Sequence, residues 1–400
     1  MSKLDYTELL ANKDRPTRVI YISSYIPRKC GIATFTKDLT TAINNLNPTA
    51  LAEIAAVTDP DQSYDYPWEV KTHIDQLTAE DYLTVANYIN QSSADVVNLQ
   101  HEFGLYGGTG GDYILPMIDT IEKPIVTCFH SILPNPDPHQ LYIMKRIIDK
   151  SAVVVAMSEL SRKVLIDIYE CEPSKAVVIF HGVPDFTFEK PDAAKRRLGY
   201  GENKILLMTG LLGPGKGTEY VIDAMPKIIK DYPETKFVVV GQTHPNLIKE
   251  QGEQYRDSLI ARAKKLKVLK NVEFVNKYVS LDELMEYYRA ADIYLTPHLD
   301  PQQPTSGTLA YALGAGKVCI STPYNYAKQV LKDNVGIMVD FKNGEEIADA
   351  TVSVFGDSEK FQGYRSRAYG IGKRMQWPRV AQNYLTLFRS VSEHSRANQD

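Results

Sequence analysis

The sequence predicts an α/β protein of two doubly wound, Rossmann-like domains, each a parallel sheet covered by helices on both faces. Three observations predict it. A chain of 400 residues exceeds the size of one ordinary domain. Short apolar runs rich in β-branched residues alternate with longer amphipathic stretches, as buried parallel strands and their covering helices require. The series occurs twice, and each half opens with a strand, a glycine-containing turn and a helix.

In the first series, strands are expected at residues 17–23, 51–57, 95–99, 124–129, 152–157 and 176–180. A polar stretch at 189–203, containing AAKRRLG, reads as the linker and divides the chain into domains at 1–195 and 196–375. The second series restarts with KILLMTG and continues through KFVVVG, then 272–275, 292–296, 318–321 and 336–339, with helices at 219–230 and 281–290. The tail at 377–391, with Pro378 near its start and Val380, Tyr384, Leu387 and Phe388 at helical spacing, predicts a last amphipathic helix. Residues 376–400 are expected to pack across the domain junction.

Composition narrows the function classes. With 44% hydrophobic and 24% charged residues the chain has the make-up of a packed protein, and a net charge of −4 gives no basic footprint for nucleic acid. The opening MSKLDYTELLANKDRPTR has no apolar leader core, and no segment approaches the roughly 20 apolar residues of a membrane span. A cytoplasmic protein is expected, with peripheral membrane contact and homo-oligomerisation both compatible. Cys30, Cys128, Cys171 and Cys319 form no paired motif and read as reduced thiols, and the eight histidines include no zinc-type pair, so no metal is expected.

In open α/β sheets ligands gather beyond the carboxyl ends of the strands, which directs attention to the loops there. The loop SSYIPRKCGIATFTKDL places Gly31 at a helix start; it is either an ordinary turn or a place where a ligand approaches free amides. It is not GxGxxG, which counts against a dinucleotide-dependent oxidoreductase. In NLQHEFGLYGGTGGDYI, His101 and Glu102 follow a buried strand, either as a capping pair or to orient substrate hydroxyls, and Tyr106 is placed to stack on a sugar ring. His130 ends the strand of PIVTCFHSILPNPD, either in a purely structural role or, as its position favours, to donate to a substrate or phosphate oxygen. MSE at 157–159 and HGV at 181–183 close two further strands.

The segment TGLLGPGKGTEYVIDAM holds Gly210 and then Lys216 between two glycines at a helix start, without the spacing of a Walker loop. In HLDPQQPTSGTLAYALGAG, Ser306, Gly307 and Thr308 begin a helix, either as a plain N-cap or as an anion site built from amides and hydroxyls. Lys216 and this helix start could grip one pyrophosphate together.

These residues resemble the retaining GT-B glycosyltransferases of group 1, which include sucrose, glycogen and mannosyl transferases, over nearly the whole chain. The resemblance implies two Rossmann-like domains facing across a cleft and a nucleotide-diphosphate sugar as co-substrate, with no cofactor. It implies transfer of a hexose, mannose or glucose, to a hydroxyl of a glycan, a lipid-linked or a small-molecule acceptor. Gly31, His130, Gly210 to Gly217 with Lys216, and Gln303 to Tyr311 match the family's glycine loop, histidine, G-R-x-x-x-x-K-G and E-x7-E segments. The family's roles make His130 and Lys216 catalytic, and Gly31, Gly210, Gln303, Ser306, Gly307, Thr308 and Tyr311 donor-binding. His101, Glu102 and Tyr106 fall on the acceptor side. Three positions depart from the pattern: Leu211 replaces an arginine, and Gln303 and Tyr311 replace the two glutamates. They keep open a nucleotide-sugar-binding protein without catalysis, or a GT-B epimerase or phosphorylase.

Overall fold

A computed structural model describes residues 16–397 and divides the chain into two units, one running to Phe180 and resuming at Trp377, the other His181–Gln376. Residues 1–15 of the N-terminal stretch read above for a leader, and the last three residues, lie outside the described residues.

The first unit runs β1 (Val19–Ser23), α1 (Gly31–Leu46), β2 (Glu53–Thr58), β3 (Val70–Asp75), α2 (Ala79–Gln91), β4 (Val96–His101), α3 (Ile114–Thr120), β5 (Ile125–Phe129), α4 (Pro138–Lys150), β6 (Val153–Ala156), α5 (Glu159–Asp167) and β7 (Ala176–Val178). All seven strands are parallel, in the order β3-β2-β1-β4-β5-β6-β7. Alternate side chains leave a strand on opposite faces, so β1 feeds two cores: Ile20 and Ile22 enter one, Val19 and Tyr21 the other. Beyond the expected strands stands β3, an edge strand whose half-exposed VKTHID pattern lacks the continuous apolar run of its neighbours.

The second unit runs α6 (Asp192–Arg197), β8 (Ile205–Thr209), α7 (Thr218–Asp231), β9 (Lys236–Val240), α8 (Pro245–Gln251), α9 (Gln254–Lys265), β10 (Val272–Val275), α10 (Leu281–Ala290), β11 (Ile293–Thr296), α11 (Gly307–Gly314), β12 (Val318–Ser321), α12 (Asn325–Val330), β13 (Ile337–Met338), α13 (Gly344–Phe355) and α14 (Ser358–Gly372). Its six parallel strands follow the order β10-β9-β8-β11-β12-β13. The same reversal of order, at β1/β4 and at β8/β11, marks the switch point of each sheet, where loops part and leave a crevice.

The division falls at Phe180/His181, ahead of the polar stretch expected as the linker. The physical reason is aromatic. Phe186 and Phe188 pack within the second unit, Phe188 stacking on Tyr369 at 4.8 Å, while Val183 N–H donates to the Met375 carbonyl at 2.7 Å. The polar stretch itself contains α6, whose Lys195 is buried in an ion pair with Asp292 at 2.7 Å. The last helix, α15 (Trp377–Ala397), belongs to the first unit. Its Val380, Tyr384, Leu385 and Phe388 join the core of Tyr21, Phe35 and Leu39, and Tyr384 Oη donates to Cys128 Sγ at 3.1 Å. Each such fully buried side chain contributes roughly 1.5–3 kcal/mol, enough to seat the helix on this sheet. No helix among the described residues is long and apolar enough to cross a membrane.

Candidate functional site

In the second unit the chain leaves β8 through Gly210, at φ +109°, directly opposite the first turn of α11: a Cβ there would lie 3.5 Å from Thr308 Cγ2. A short 3-10 turn, Pro214–Lys216, follows, and Leu299 N–H donates to its Gly215 carbonyl at 3.0 Å, clipping the Lys216 loop to the segment after β11. Gly217 then adopts φ +70°, and a Cβ would sit 2.1 Å from the Pro297 carbonyl oxygen. Only glycine fits there, so Lys216 is held at the start of α7 by backbone shape.

Burial pushes the Lys216 ammonium below its ordinary pKa, and among the described residues no carboxylate pairs with it. It lines a cavity of about 370 Å³ with Leu211, His244, Leu247, Asp300 and Gln303. Leu211 thus occupies the mouth without supplying a second cation.

Across the switch point, Ser306 caps α11 by accepting from Leu309 N–H at 3.3 Å, and its Oγ lies 3.3 Å from Thr308 Oγ1. The cap meets one of the helix's first amides; those of Gly307 and Thr308 stand in the first turn, where helices have no internal acceptor and attract anions. Beneath them lies an aromatic bed. Tyr311, 8% exposed, meets His181 edge-on at 6.3 Å and Tyr288 at 5.9 Å, while Tyr288 Oη donates to the Thr308 carbonyl at 2.8 Å. The His181 ring abuts Gly307, its Nδ1–H donates to the Gly182 carbonyl at 2.7 Å, and burial lowers its pKa to about 4.

His298, which leads the HLDPQQP segment, joins the site without a signal in the sequence. It stacks on Tyr324 at 5.1 Å and donates Nδ1–H to Gln303 Oε1 at 2.5 Å. Burial, and then the nearby Lys216 charge, push its pKa down to about 3. Gln303 also donates to the Thr305 carbonyl at 3.0 Å, so half of its amide's capacity is spent inside the loop.

In the first unit, Gly31 opens α1 with nothing within 4 Å of a would-be Cβ, behind a Cys30 cap whose Sγ accepts from Ala33 N–H at 3.3 Å. His130 follows β5. Its Nε2 lies 2.7 Å from Gln100 Oε1, and Phe35 of α1 meets its ring edge-on at 4.9 Å. Glu102 stands beside it past the end of β4, since His101 pairs with Phe129 in the register. Burial raises the Glu102 carboxyl above its ordinary pKa, while Ser131 Oγ and the Phe103 and Gly104 amides donate to it.

Two acceptor-side assignments are corrected. His101 is fully buried among Phe103, Tyr106 and Phe129, and Tyr106 is buried with its Oη donating to the Gln100 carbonyl at 2.6 Å. The cause is one of length. Strand β4 runs on to His101, two residues further than expected, and its pleat turns that side chain into the core.

The architecture, two units each built on a parallel α/β sheet, is that of the GT-B fold. Residues 189–370 match the family model described as glycosyl transferases group 1. The chain is 25% identical over 280 residues to the phosphatidyl-myo-inositol mannosyltransferase of Mycolicibacterium smegmatis, covering 69% of this chain and 67% of that one. The fold is similar to that of HepE of Anabaena, solved in complex with UDP, at a TM-score of 0.72 and 16% identity, covering 94% and 100% of the two chains. It is similar too to the sucrose-phosphate synthase of Thermosynechococcus elongatus, at a TM-score of 0.75 and 15% identity, covering 94% and 99%. The second unit matches the group 1 glycosyltransferases, and the activity that this match and the mannosyltransferase relative support is transfer of a sugar from a nucleotide-sugar donor.

Proposed function

We propose that this protein is a retaining hexosyltransferase in which Lys216 and the amides of Gly307 and Thr308 hold the diphosphate of the donor. The observation that carries the reading is the Lys216 ammonium, half-buried at the wall of its cavity, its pKa lowered by burial and with no carboxylate paired to it among the described residues. A desolvated cation is costly unless a counter-charge meets it, and a bound diphosphate is such a counter-charge. In this reading Ser306 and Thr308 add hydroxyls, Gly31 and Gly210 let the ligand approach the backbone, Gln303 faces the donor sugar and Tyr311 the ribose. The positive groups substitute for a divalent metal, so chelators leave transfer unchanged.

In the proposed step the bond between the anomeric carbon and the diphosphate oxygen breaks, and its electron pair leaves with the nucleoside diphosphate. The acceptor hydroxyl oxygen bonds to the same face of that carbon and its proton passes to the departing phosphate. In this reading His130 takes part in the transfer step, and Glu102 receives the acceptor hydroxyl. Preorganised charge at the leaving group does more for the rate than any other feature of such a site.

Mannose is the sugar to test first, because the relative from M. smegmatis is a mannosyltransferase; glucose is the second, and a glycan, lipid-linked or small-molecule hydroxyl is the acceptor class. Thermal unfolding with UDP, GDP, UDP-glucose and GDP-mannose tests the donor site without an acceptor. A ligand at a hundred times its Kd stabilises the native state by about 2.7 kcal/mol. One of the four raises the melting temperature of the wild type and loses that effect in Lys216→Ala. No shift from any nucleoside diphosphate or nucleotide sugar overturns the donor site, and an inverted anomer in the product overturns retention.

A further inference from the structure

Strand β4 carries Asn98 and Gln100, both fully buried and two residues apart, so their side chains leave the same face. Buried primary amides are costly unless both ends are met. Here the polarity of each is forced from the far end of the chain they form. The Val126 carbonyl can only accept, and it takes an N–H of Asn98 Nδ2 at 3.0 Å. Asn98 therefore presents Oδ1 to Gln100, whose Nε2–H donates to it at 2.5 Å. Gln100 in turn presents Oε1 to His130, and the 2.7 Å contact requires the hydrogen to sit on His130 Nε2.

We propose that Gln100 is a positioning residue for the transfer reaction: backed by Asn98, it fixes His130 as the Nε2–H tautomer and sets the plane of its ring. Phe35 holds that plane from α1, edge-on at 89°. The neutral ring then carries its lone pair on Nδ1, so any group meeting that nitrogen must donate. A sugar hydroxyl satisfies this; a bare phosphate oxygen does not. This sharpens the expectation that His130 donates, because the proton it holds when neutral is already given to Gln100. The proposal rests on the functional reading only for the statement that His130 meets substrate. The tautomer is a property of the free protein.

The test uses the full chain with 15N-labelled histidine and long-range proton–nitrogen correlation, with the His130 signals assigned by their loss in His130→Ala. Expected in the wild type are a protonated Nε2 and a pyridine-like Nδ1. Gln100→Leu removes the acceptor and is expected to give mixed tautomers, with kcat lowered about tenfold by misorientation of the ring. Gln100→Glu, neutral in this buried place, keeps an oxygen that accepts from Nε2–H and an O–H that donates to Asn98 Oδ1; it retains the wild-type tautomer and recovers rate relative to Gln100→Leu. A polar ladder with a merely structural role leaves the tautomer unmoved in Gln100→Leu. An Nδ1–H ring in the wild type, or a Gln100→Leu enzyme that keeps both tautomer and rate, overturns the proposal. Should Gln100→Leu fail to fold, the wild-type and Gln100→Glu spectra decide it. Full transfer by His130→Ala with the tautomer as stated removes Gln100's part in the reaction by a different route, through the functional reading.

Discussion

Strands β8 and β11 are neighbours in the second sheet, and their two ends treat buried charge in opposite ways. At the amino ends, Lys195 and Asp292 form an ion pair in which each side chain is only 5% exposed, and Asp292 also accepts from Ile205 N–H at 2.7 Å. Lys317, buried beside them, donates to the Arg289 carbonyl at 2.8 Å and is pushed down to about 7 by burial and then by Arg365. Here the Lys195 charge is met by a carboxylate and the Lys317 ammonium by a backbone carbonyl, both inside the protein. At the carboxyl ends the chain gathers a cation and a helix N-terminus and supplies no carboxylate to pair with Lys216 among the described residues. A charge met from within holds the fold; a charge left open is available to a ligand.

Substitutions at the two ends separate these roles. The largest expected effect is on stability, from Asp292→Ala, which strands Lys195 in the interior. Breaking a buried pair by removing one partner costs about 3–5 kcal/mol. Urea unfolding of the second unit measures it, and a loss below about 1 kcal/mol, the range of exposed pairs, would show the amino end to be as open as the carboxyl end.

Next in size is Lys216→Ala, which acts on turnover. Removing one preorganised charge-stabilising donor lowers kcat by about 10²–10³. Stability is expected to hold or rise, since the variant relieves a desolvated cation. Steady-state kinetics with the accepted donor, alongside urea unfolding, checks both halves. Wild-type turnover would mean that the carboxyl-end cation is as structural as Lys195.

The same contrast between the two ends separates what is legible in the sequence from what is not. The Lys216 loop is visible because its mark is local: Gly217 adopts φ +70°, and the glycines on either side of Lys216 signal the turn. Ser306 at the start of α11 is visible for the same reason, since a cap is read within a few residues. The ion pair at the amino end is not, because Lys195 and Asp292 are 97 positions apart, and AAKRRLG has the composition of a solvated linker. Nor is the relay through Asn98 and Gln100, which needs the register of β4 against β5 before its polarity means anything. The strands are legible as apolar runs except β3, whose edge position removes that signal.

The smallest effect concerns the first unit's own buried titratable group, where the sequence suggests a ligand contact and the structure shows core. His101 lies in its aromatic cage with both ring nitrogens unpartnered among the described residues, and burial lowers its pKa to about 3. The folded ring is therefore neutral where the unfolded one, near 6.5, takes up a proton. The sign follows from that depression: the unfolded state binds more protons below about pH 6.5, so stability is fully present above that value and falls as the pH drops towards about 3. Between about pH 7 and pH 5 this one group costs about 2 kcal/mol. His101→Phe replaces two unmet polar atoms with ring carbon in a cage of Phe103, Tyr106 and Phe129. It is expected to match or exceed wild-type stability at pH 7 and to flatten the loss between pH 7 and 5, read by urea unfolding at both values. Transfer by this variant stays near the wild-type rate. A large loss of activity with the fold intact would return His101 to the acceptor side and show that β4 opens where it is described as closed.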